Sequence, residues 1–405
     1  MDASLNELIA FLQSKQRVMV EQLHQFCQIN SGSENLMGLN TMHDVLKNAY
    51  TPFADEIESV TFPAVPIITM QGDITQQTLG NALIIRKRPE LTKRVLLCGH
   101  MDTVYPPTHP FQTLTYLSEN RLNGPGVADM KGGLIVMLHA LAAFEQHPMA
   151  NNLGIDVFIN ADEELGSPAS ATWLNKILTP YQAGLVYEPA MSEQGTLAKN
   201  RRGSGKLTLI AHGKAAHAGR AFNEGHNAIY HLAKALQRIH ELNNQQSNIT
   251  INIGKIAGGT ALNIVPDKAV AKLDVRISEP ADELWVTKQI NAILASVKEP
   301  GFDMTLHSHF PRPVKHINAA TEQLFARIRK LGKQVNLTID WQDSGGCCDG
   351  NNLAAQGLPV IDTLGVRGGN IHSADEYILL DSLVERAALT ALLLIDIAQQ
   401  GVIEP

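Results

Sequence analysis

Five short stretches of this sequence carry histidine or carboxylate side chains where apolar runs end: CGHMDTV with His100 and Asp102, GPGVADMKGG with Asp129, NADEELGS with Asp162, Glu163 and Glu164, VYEPA with Glu188, and NIHSADEY with His372. Each is a weak signal by itself, because polar residues gather wherever strands give way to loops. Together they demand an explanation. Three consecutive carboxylates after the apolar run LGIDVFI repel one another unless a cation sits among them. Two imidazoles and several carboxylates at one sheet rim form the mixed nitrogen and oxygen donor set that zinc accepts. They suffice for a two-metal centre if one carboxylate bridges.

The elements that must position these residues are legible as well. From Asn81 to Ile371 the chain keeps returning to short apolar runs, NALIIRKR, RVLLCGH, LGIDVFINA, AGLVYE and LPVIDTLG, interleaved with segments of helical period. That alternation predicts an α/β fold around a mostly parallel sheet, with the chemistry on its rim loops. The helix after ADM carries Leu134, Met137, Leu138, Leu141 and Phe144 at helical spacing, which predicts one face packed on the core. The last helix, LVERAALTALLLIDIAQQ, is expected to stop at Gly401. Between Gly203 and about Phe310 the order changes to strand GKLTLIAHG, helix AIYHLAKALQRIHEL, strands ITINIGKIAG and AVAKLDVRIS, helix LWVTKQINAILASV and strand DMTLHSHF. This is a complete β-α-β-β-α-β unit of ferredoxin-like type. The expected organisation is a discontinuous domain of residues 1–202 and 311–405, with a second domain, residues 203–310, inserted into it.

A chain of 405 residues is long enough for two cores. Its 33 basic and 40 acidic residues form no block of like charge, which argues against nucleic acid and membrane surfaces as partners. The N-terminal stretch MDASLNELIAFLQSKQRVMVEQLHQF is amphipathic and broken by charges, so it reads as a helix of a cytoplasmic protein; no stretch reads as membrane-spanning. Four cysteines, Cys27, Cys98, Cys347 and Cys348, make no disulfide framework in a chain this long. The adjacent pair in GCCDG reads as two small residues of a Gly-rich loop, since neighbouring side chains rarely converge on one metal.

The stretches HMDTV, GPGVADMKGG, DEELGS, EP, GKAAHAG and HSADEY, in this order and spacing and with the inserted unit, closely resemble the co-catalytic zinc aminoacyl hydrolases. That family includes bacterial glutamate carboxypeptidase, aminoacylase, acetylornithine deacetylase and succinyl-diaminopimelate desuccinylase. The resemblance covers nearly the whole chain and implies a zinc-peptidase-like catalytic domain with a lid through which two copies dimerise. It implies two zinc ions, with cobalt or manganese as substitutes. His100 and Glu188 would hold one, Glu164 and His372 the other, and Asp129 would bridge. Asp102 would accept the second N–H of His100 and fix its tautomer, and the Asp129–Met130 peptide would be cis. Glu163 would be the general base, because a carboxylate free of metal can take a proton from the attacking water and hand it to the leaving nitrogen. Asp162 reads instead as a backbone hydrogen-bonder at the strand end.

On the lid, His217 would by itself be a surface imidazole; the resemblance implies that it crosses a dimer interface to stabilise the oxyanion in the partner's site. Arg276 in KLDVRIS and Asn263 in TALNIVPD match binders of a substrate carboxylate, for which a planar guanidinium is the natural partner. SGGCCDGN resembles a Gly-rich loop whose backbone, at Gly346, lies along the substrate. Cys347 and Cys348 depart from the hydroxyl or small residues usual there and leave the pocket shape open. Lys199, Arg201 and Arg202 in KNRRG stand at the hinge before the lid, where they either receive an acidic side chain or solvate a linker. The expected activity is hydrolysis of an amide next to a free carboxylate in a small peptide or N-acyl amino acid. A glutamate-carboxypeptidase-like exopeptidase leads this reading, and an N-acyl-amino-acid deacylase needs the same machinery. A non-catalytic binding module is disfavoured because every ligand and base position is filled.

Overall fold

The computed structural model of the chain describes residues 3–174 and 181–402. The first five strands of its main sheet are β1 (Glu56–Val60), β2 (Ala82–Lys87), β3 (Arg94–His100), β4 (Gly154–Asn160) and β5 (Gly184–Val186). Then come β6 (Gly203–His212), β7 (Thr250–Gly258), β8 (Lys268–Ile277), β9 (Asp303–Arg312) and β10 (Val360–Ile361). The main sheet has the order β1-β2-β4-β3-β5-β10. Its β4/β3, β3/β5 and β5/β10 pairings are parallel, and β2 runs antiparallel to both of its neighbours. The five apolar runs supply all of these strands but one. The exception, β1, has the sequence EIESV and exposed charges, as befits an edge.

Both faces of the sheet are covered, which is why β3 and β4 are buried along their whole length. Alternate residues go to opposite sides: Val95, Leu97, Val157 and Ile159 join one core, while Leu96, Cys98 and Phe158 join another. On the first side lie α1 (Ala3–Gln28), α2 (Gly133–Phe144) and, at the C-terminal end of the chain, a helix over Asp381–Gln400. Leu134, Met137, Leu138, Leu141 and Phe144 of α2 pack in the core as expected, and the burial extends beyond their face. Every residue of α2 is buried, because α1, the C-terminal helix and β3 enclose it and leave no side for a polar stripe. The segment Val127–Phe144 is long and apolar enough to cross a bilayer, yet it lies wholly inside the protein. The C-terminal helix does end at Gly401, whose φ is +70° and whose N–H donates to Ile397.

The inserted unit forms a four-stranded antiparallel sheet, β7-β8-β6-β9, with α3 (Ala228–Glu241) and α4 (Pro280–Ser296) packed against it. Leu207, Leu209, Leu236, Val275 and Ile290 belong to a hydrophobic core separate from those of the main sheet. Its last strand runs on to Arg312, past the boundary expected at 310.

A further four-stranded sheet has no counterpart in the sequence reading. Gly368–Gly369 pairs with Tyr377–Leu379, which pairs with Arg121–Asn123 and through it with Thr115–Ser118. The His372 loop is thus a hairpin loop. It is tied to the strand that leads into the Asp129 turn.

Candidate metal centre

His100 is the last residue of β3, in register with Asn160 at the end of β4, and Glu163 and Glu164 follow in a single helical turn, Glu163–Leu165. Glu188 comes just after β5. Three parallel strands therefore deliver their chemistry at one carboxyl-terminal rim, where such sheets open a crevice. The small sheet brings Asp129 and His372 to the same place. His372 sits at φ +61°, a left-handed conformation that costs a non-glycine residue about 1–3 kcal/mol.

The carboxylate of Asp129 stands between the two imidazoles. Its Oδ1 is 3.2 Å from His100 Nε2 and its Oδ2 is 3.2 Å from His372 Nε2. Glu188 flanks His100 at 3.8 Å, and Glu164 flanks His372 at 3.3 Å. The Asp129–Met130 peptide is cis. Two overlapping groups, His100 with Asp129 and Glu164 and His100 with Glu163 and Glu188, place their donor atoms within 4.8 Å of one another. Burial, reinforced by the charge of Asp129, pushes the carboxyls of Glu188 and Glu164 upward. For His100 burial opposes the charge, but hydrogen bonds to Asp102 and Asp129 carry its pKa well above the usual value; similar bonds take His372 to about 11. Imidazoles and acids crowded together in one buried place mark a site that calls for positive charge. Glu164 Oε1 is buried without any hydrogen-bond partner. This oxygen-rich donor set with two imidazoles fits divalent cations.

A surrounding layer of hydrogen bonds aims these groups. His100 Nδ1 donates to the main-chain carbonyl of Asp102 at 2.9 Å, with the Asp102 carboxylate farther off at 3.4 Å. The Asp102 carboxylate thus lies beside His100 as expected, with the main-chain carbonyl as the nearer acceptor, and it holds further partners. It accepts the N–H groups of Glu163 and Glu164 and the hydroxyl of Ser33, and so fixes the acidic turn. Asp162 accepts the N–H groups of Ala169 and Ser170, the backbone role expected for it, and burial pushes it up to about 6.

Glu376 and Arg312 are among the residues of this layer that went unnoticed in the sequence. Glu376 is fully buried and accepts four bonds, from the N–H groups of Gly126, Ala128 and Asp129 and from the Tyr105 hydroxyl. It clamps the turn that presents Asp129. An acid four residues after His372, inside HSADEY, was the available signal. Arg312, buried at the end of β9, donates to Glu163 Oε1 at 2.6 Å and to Asp349 Oδ1 at 2.5 Å, and nothing local in HFPRPVK announces it. Burial pushes the Glu163 carboxyl up to about 8 against the pull of Arg312.

A cavity of about 710 Å³ opens over the rim, and Arg276 and Gly346 line it as the sequence suggested. His217 and Asn263 do not line it. They sit together on the exposed lid surface, where the N–H of Ala218 donates to the Asn263 carbonyl. Cys347 lines the cavity and accepts from Arg276 Nη1 at 3.2 Å, whereas Cys348 caps the helix Asp349–Ala355 by accepting the N–H of Gly350.

A sequence profile of Peptidase family M20/M25/M40 matches residues 96–396. Carboxypeptidase G2 of Pseudomonas sp. (strain RS-16) is 24% identical over 394 residues, covering 97% of this chain and 92% of the relative. The succinyl-diaminopimelate desuccinylase of Pseudoalteromonas translucida is 30% identical over 306 residues, covering 71% of this chain and 79% of the relative. Among solved structures, the dipeptidase Dug1p of Saccharomyces cerevisiae superposes with a TM-score of 0.77 over 99% of this chain and 100% of its own; at 16% identity, that likeness concerns the fold.

Proposed function

This chain belongs to peptidase family M20/M25/M40, a family of metal-dependent hydrolases, and on that premise we propose that it cleaves an amide bond next to a free carboxylate. The finer reading is a glutamate-carboxypeptidase-like exopeptidase for small peptides, with two zinc ions that cobalt or manganese can replace. The observation that carries it is the Asp129 carboxylate, each oxygen facing a different imidazole at 3.2 Å, as a carboxylate shared by two ions would. When bound, such ions polarise a scissile carbonyl and acidify water.

The remaining work falls to the chain's own residues. Glu163, aimed by Arg312, takes a proton from the attacking water and delivers it to the leaving nitrogen. Arg276 binds the free carboxylate of the substrate and thereby orients the scissile bond as well as adding affinity. The placement of His217 and Asn263 outside the cavity supports a homodimer in which the lid of one chain completes the other's site, His217 stabilising the oxyanion. Beside them Phe222, Ile229, Leu262 and Ile264 line an exposed apolar groove suited to a second copy. All four cysteines are free thiols, which fits a reducing cytoplasm.

The second reading, an N-acyl-amino-acid deacylase such as acetylornithine deacetylase, uses the same groups and is favoured by kinship with the desuccinylase. Either reading requires the carboxylate. Steady-state kinetics on matched substrates, free acid against primary amide, should show kcat/KM lower by on the order of 10² or more for the amide, because Arg276 loses its anionic partner. The difference should be small in Arg276→Ala. Equal values in the native enzyme would refute the substrate class.

A further inference from the structure

The cavity is acidic at the metal end and basic along its far walls. Two basic clusters stand there, each built from two cations around a single carboxylate. On the lid, Asp274 accepts from Lys206 and, at 2.7 Å, from Arg276 Nε. On the main sheet's side, Asp362 accepts from Arg201 Nε and Nη2, each at 3.0 Å, and from Lys315 Nζ at 2.5 Å. Each cluster therefore carries one positive charge in excess. Arg276 is already the reader of the substrate carboxylate in the proposed function; the second cluster has no assigned task.

That second cluster is built by the backbone. Arg201 pairs with Ser344 in a parallel two-stranded ribbon and bridges to Lys315, while Ala198 bridges to Asp362. Arg201 is 7% exposed, and Lys315 and Asp362 are more deeply buried. The Glu188 carboxylate also acts on Arg201, but it belongs to the candidate metal centre; a charge left unbalanced this far from water is costly unless a further anion reaches it. One nitrogen of Arg201 remains for that purpose. Nη1 takes no part in the Asp362 fork and has only the Ser344 hydroxyl, at 3.4 Å. It faces the loop at Gly346, where a Cβ would stand 3.8 Å from it, and Arg201 and Ser344 both line the cavity. The other cations of KNRRG are turned away: Lys199 lies over the Trp341 ring, and Arg202 donates to the carbonyls of Asn248 and Arg276 and to the Thr250 hydroxyl.

We propose that Arg201 Nη1 and the Ser344 hydroxyl form a second anion subsite, which takes a second carboxylate of the substrate while Arg276 takes the first. The proposal rests on the amide-hydrolase reading above. The second carboxylate has two sources, the side chain of the released amino acid or the acyl group, and isosteric substrates distinguish them. Metal-loaded enzyme would be assayed on N-acetyl-Glu against N-acetyl-Gln, and on N-succinyl-Ala against N-butyryl-Ala. A preference for the charged member of on the order of 10² in kcat/KM is expected in at least one pair, and that pair identifies the source.

In Arg201→Met, which leaves Asp362 balanced by Lys315, the preference should collapse while the neutral substrate keeps its rate within a few-fold. Should that variant fail to fold by circular dichroism, Ser344→Ala tests the same subsite without removing a charge, and the preference should fall about tenfold. Hydrolysis of all four compounds without preference would overturn the subsite alone. So would a preference that survives in folded Arg201→Met or in Ser344→Ala. If the metal-loaded enzyme cleaves none of them, nor any other amide beside a carboxylate, the underlying reading fails and the subsite with it.

Discussion

Replacing Glu376 by glutamine keeps shape and volume but changes what the buried Asp129 turn can bond to. In the native chain Oε1 accepts the N–H groups of Ala128 at 2.9 Å and Asp129 at 3.0 Å, and Oε2 accepts the N–H of Gly126 at 3.1 Å and the Tyr105 hydroxyl at 2.8 Å. A glutamine has one carbonyl oxygen. With it at the Oε1 position, the amide nitrogen faces the Gly126 N–H, donor against donor, while the Tyr105 hydroxyl can turn and accept. One buried N–H is then orphaned, at a cost of about 1–3 kcal/mol. The two bonds that survive lose their charge assistance, about another 1 kcal/mol in all. The sum, about 3 kcal/mol, is borne by the turn that presents Asp129. If the turn relaxes rather than the fold, the loss appears as weaker metal binding, and 10- to 100-fold is the range for groups that orient ligands. Competition titration of metal-free protein with zinc and a chromophoric chelator measures this, and urea unfolding of the metal-free protein measures the rest. A Glu376→Gln chain with native zinc affinity and native unfolding midpoint would refute the clamp.

Glu163→Gln should retain its metals by elemental analysis but lose at least ~10² in kcat, whereas Glu164→Ala should lose metal; near-native turnover in the first would remove the base assignment. Mixing His217→Ala chains with Glu163→Gln chains should restore part of the activity absent from both homodimers, since each mixed dimer has one intact site, and no recovery in demonstrated heterodimers would place His217 in its own chain's chemistry or in none. His139, buried in α2 and bonded to Gln22, has its pKa lowered by burial and then by Lys15 to about 4, from 6.5 when exposed. The unfolded chain therefore binds the extra proton between those values. Stability is complete above about pH 6.5 and falls as pH drops toward 4, by at most about 3 kcal/mol from this group. Urea midpoints measured from pH 7.5 to 4.5 should fall more steeply for the native chain than for His139→Gln; parallel curves would contradict the assignment.

The sequence by itself determined what is local. Apolar runs of strand length became the main sheet, because a strand buried on both faces must be apolar throughout. The strand and helix order from Gly203 onward became the β6 to β9 unit, because alternation and helical period are written within a few residues. The candidates His100, Asp129, Glu163, Glu164, Glu188 and His372 were legible because residue type sets what could ligate or move a proton. What the tertiary structure decided is partnership across distance. Glu376 bonds to Gly126, 250 residues away, and Arg312 to Glu163, 149 residues away, and no local pattern encodes either pair. That α2 is buried on every side, beyond the face its spacing marks, was decided in the same way, since what encloses a helix is settled by the elements that pack around it. The hinge motif KNRRG stayed open in the sequence for the same reason, and its adjacent cations face an aromatic ring, a buried carboxylate and a set of carbonyls. Charge is a property of the side chain, but its work depends on which groups the fold brings within about 3 Å of it.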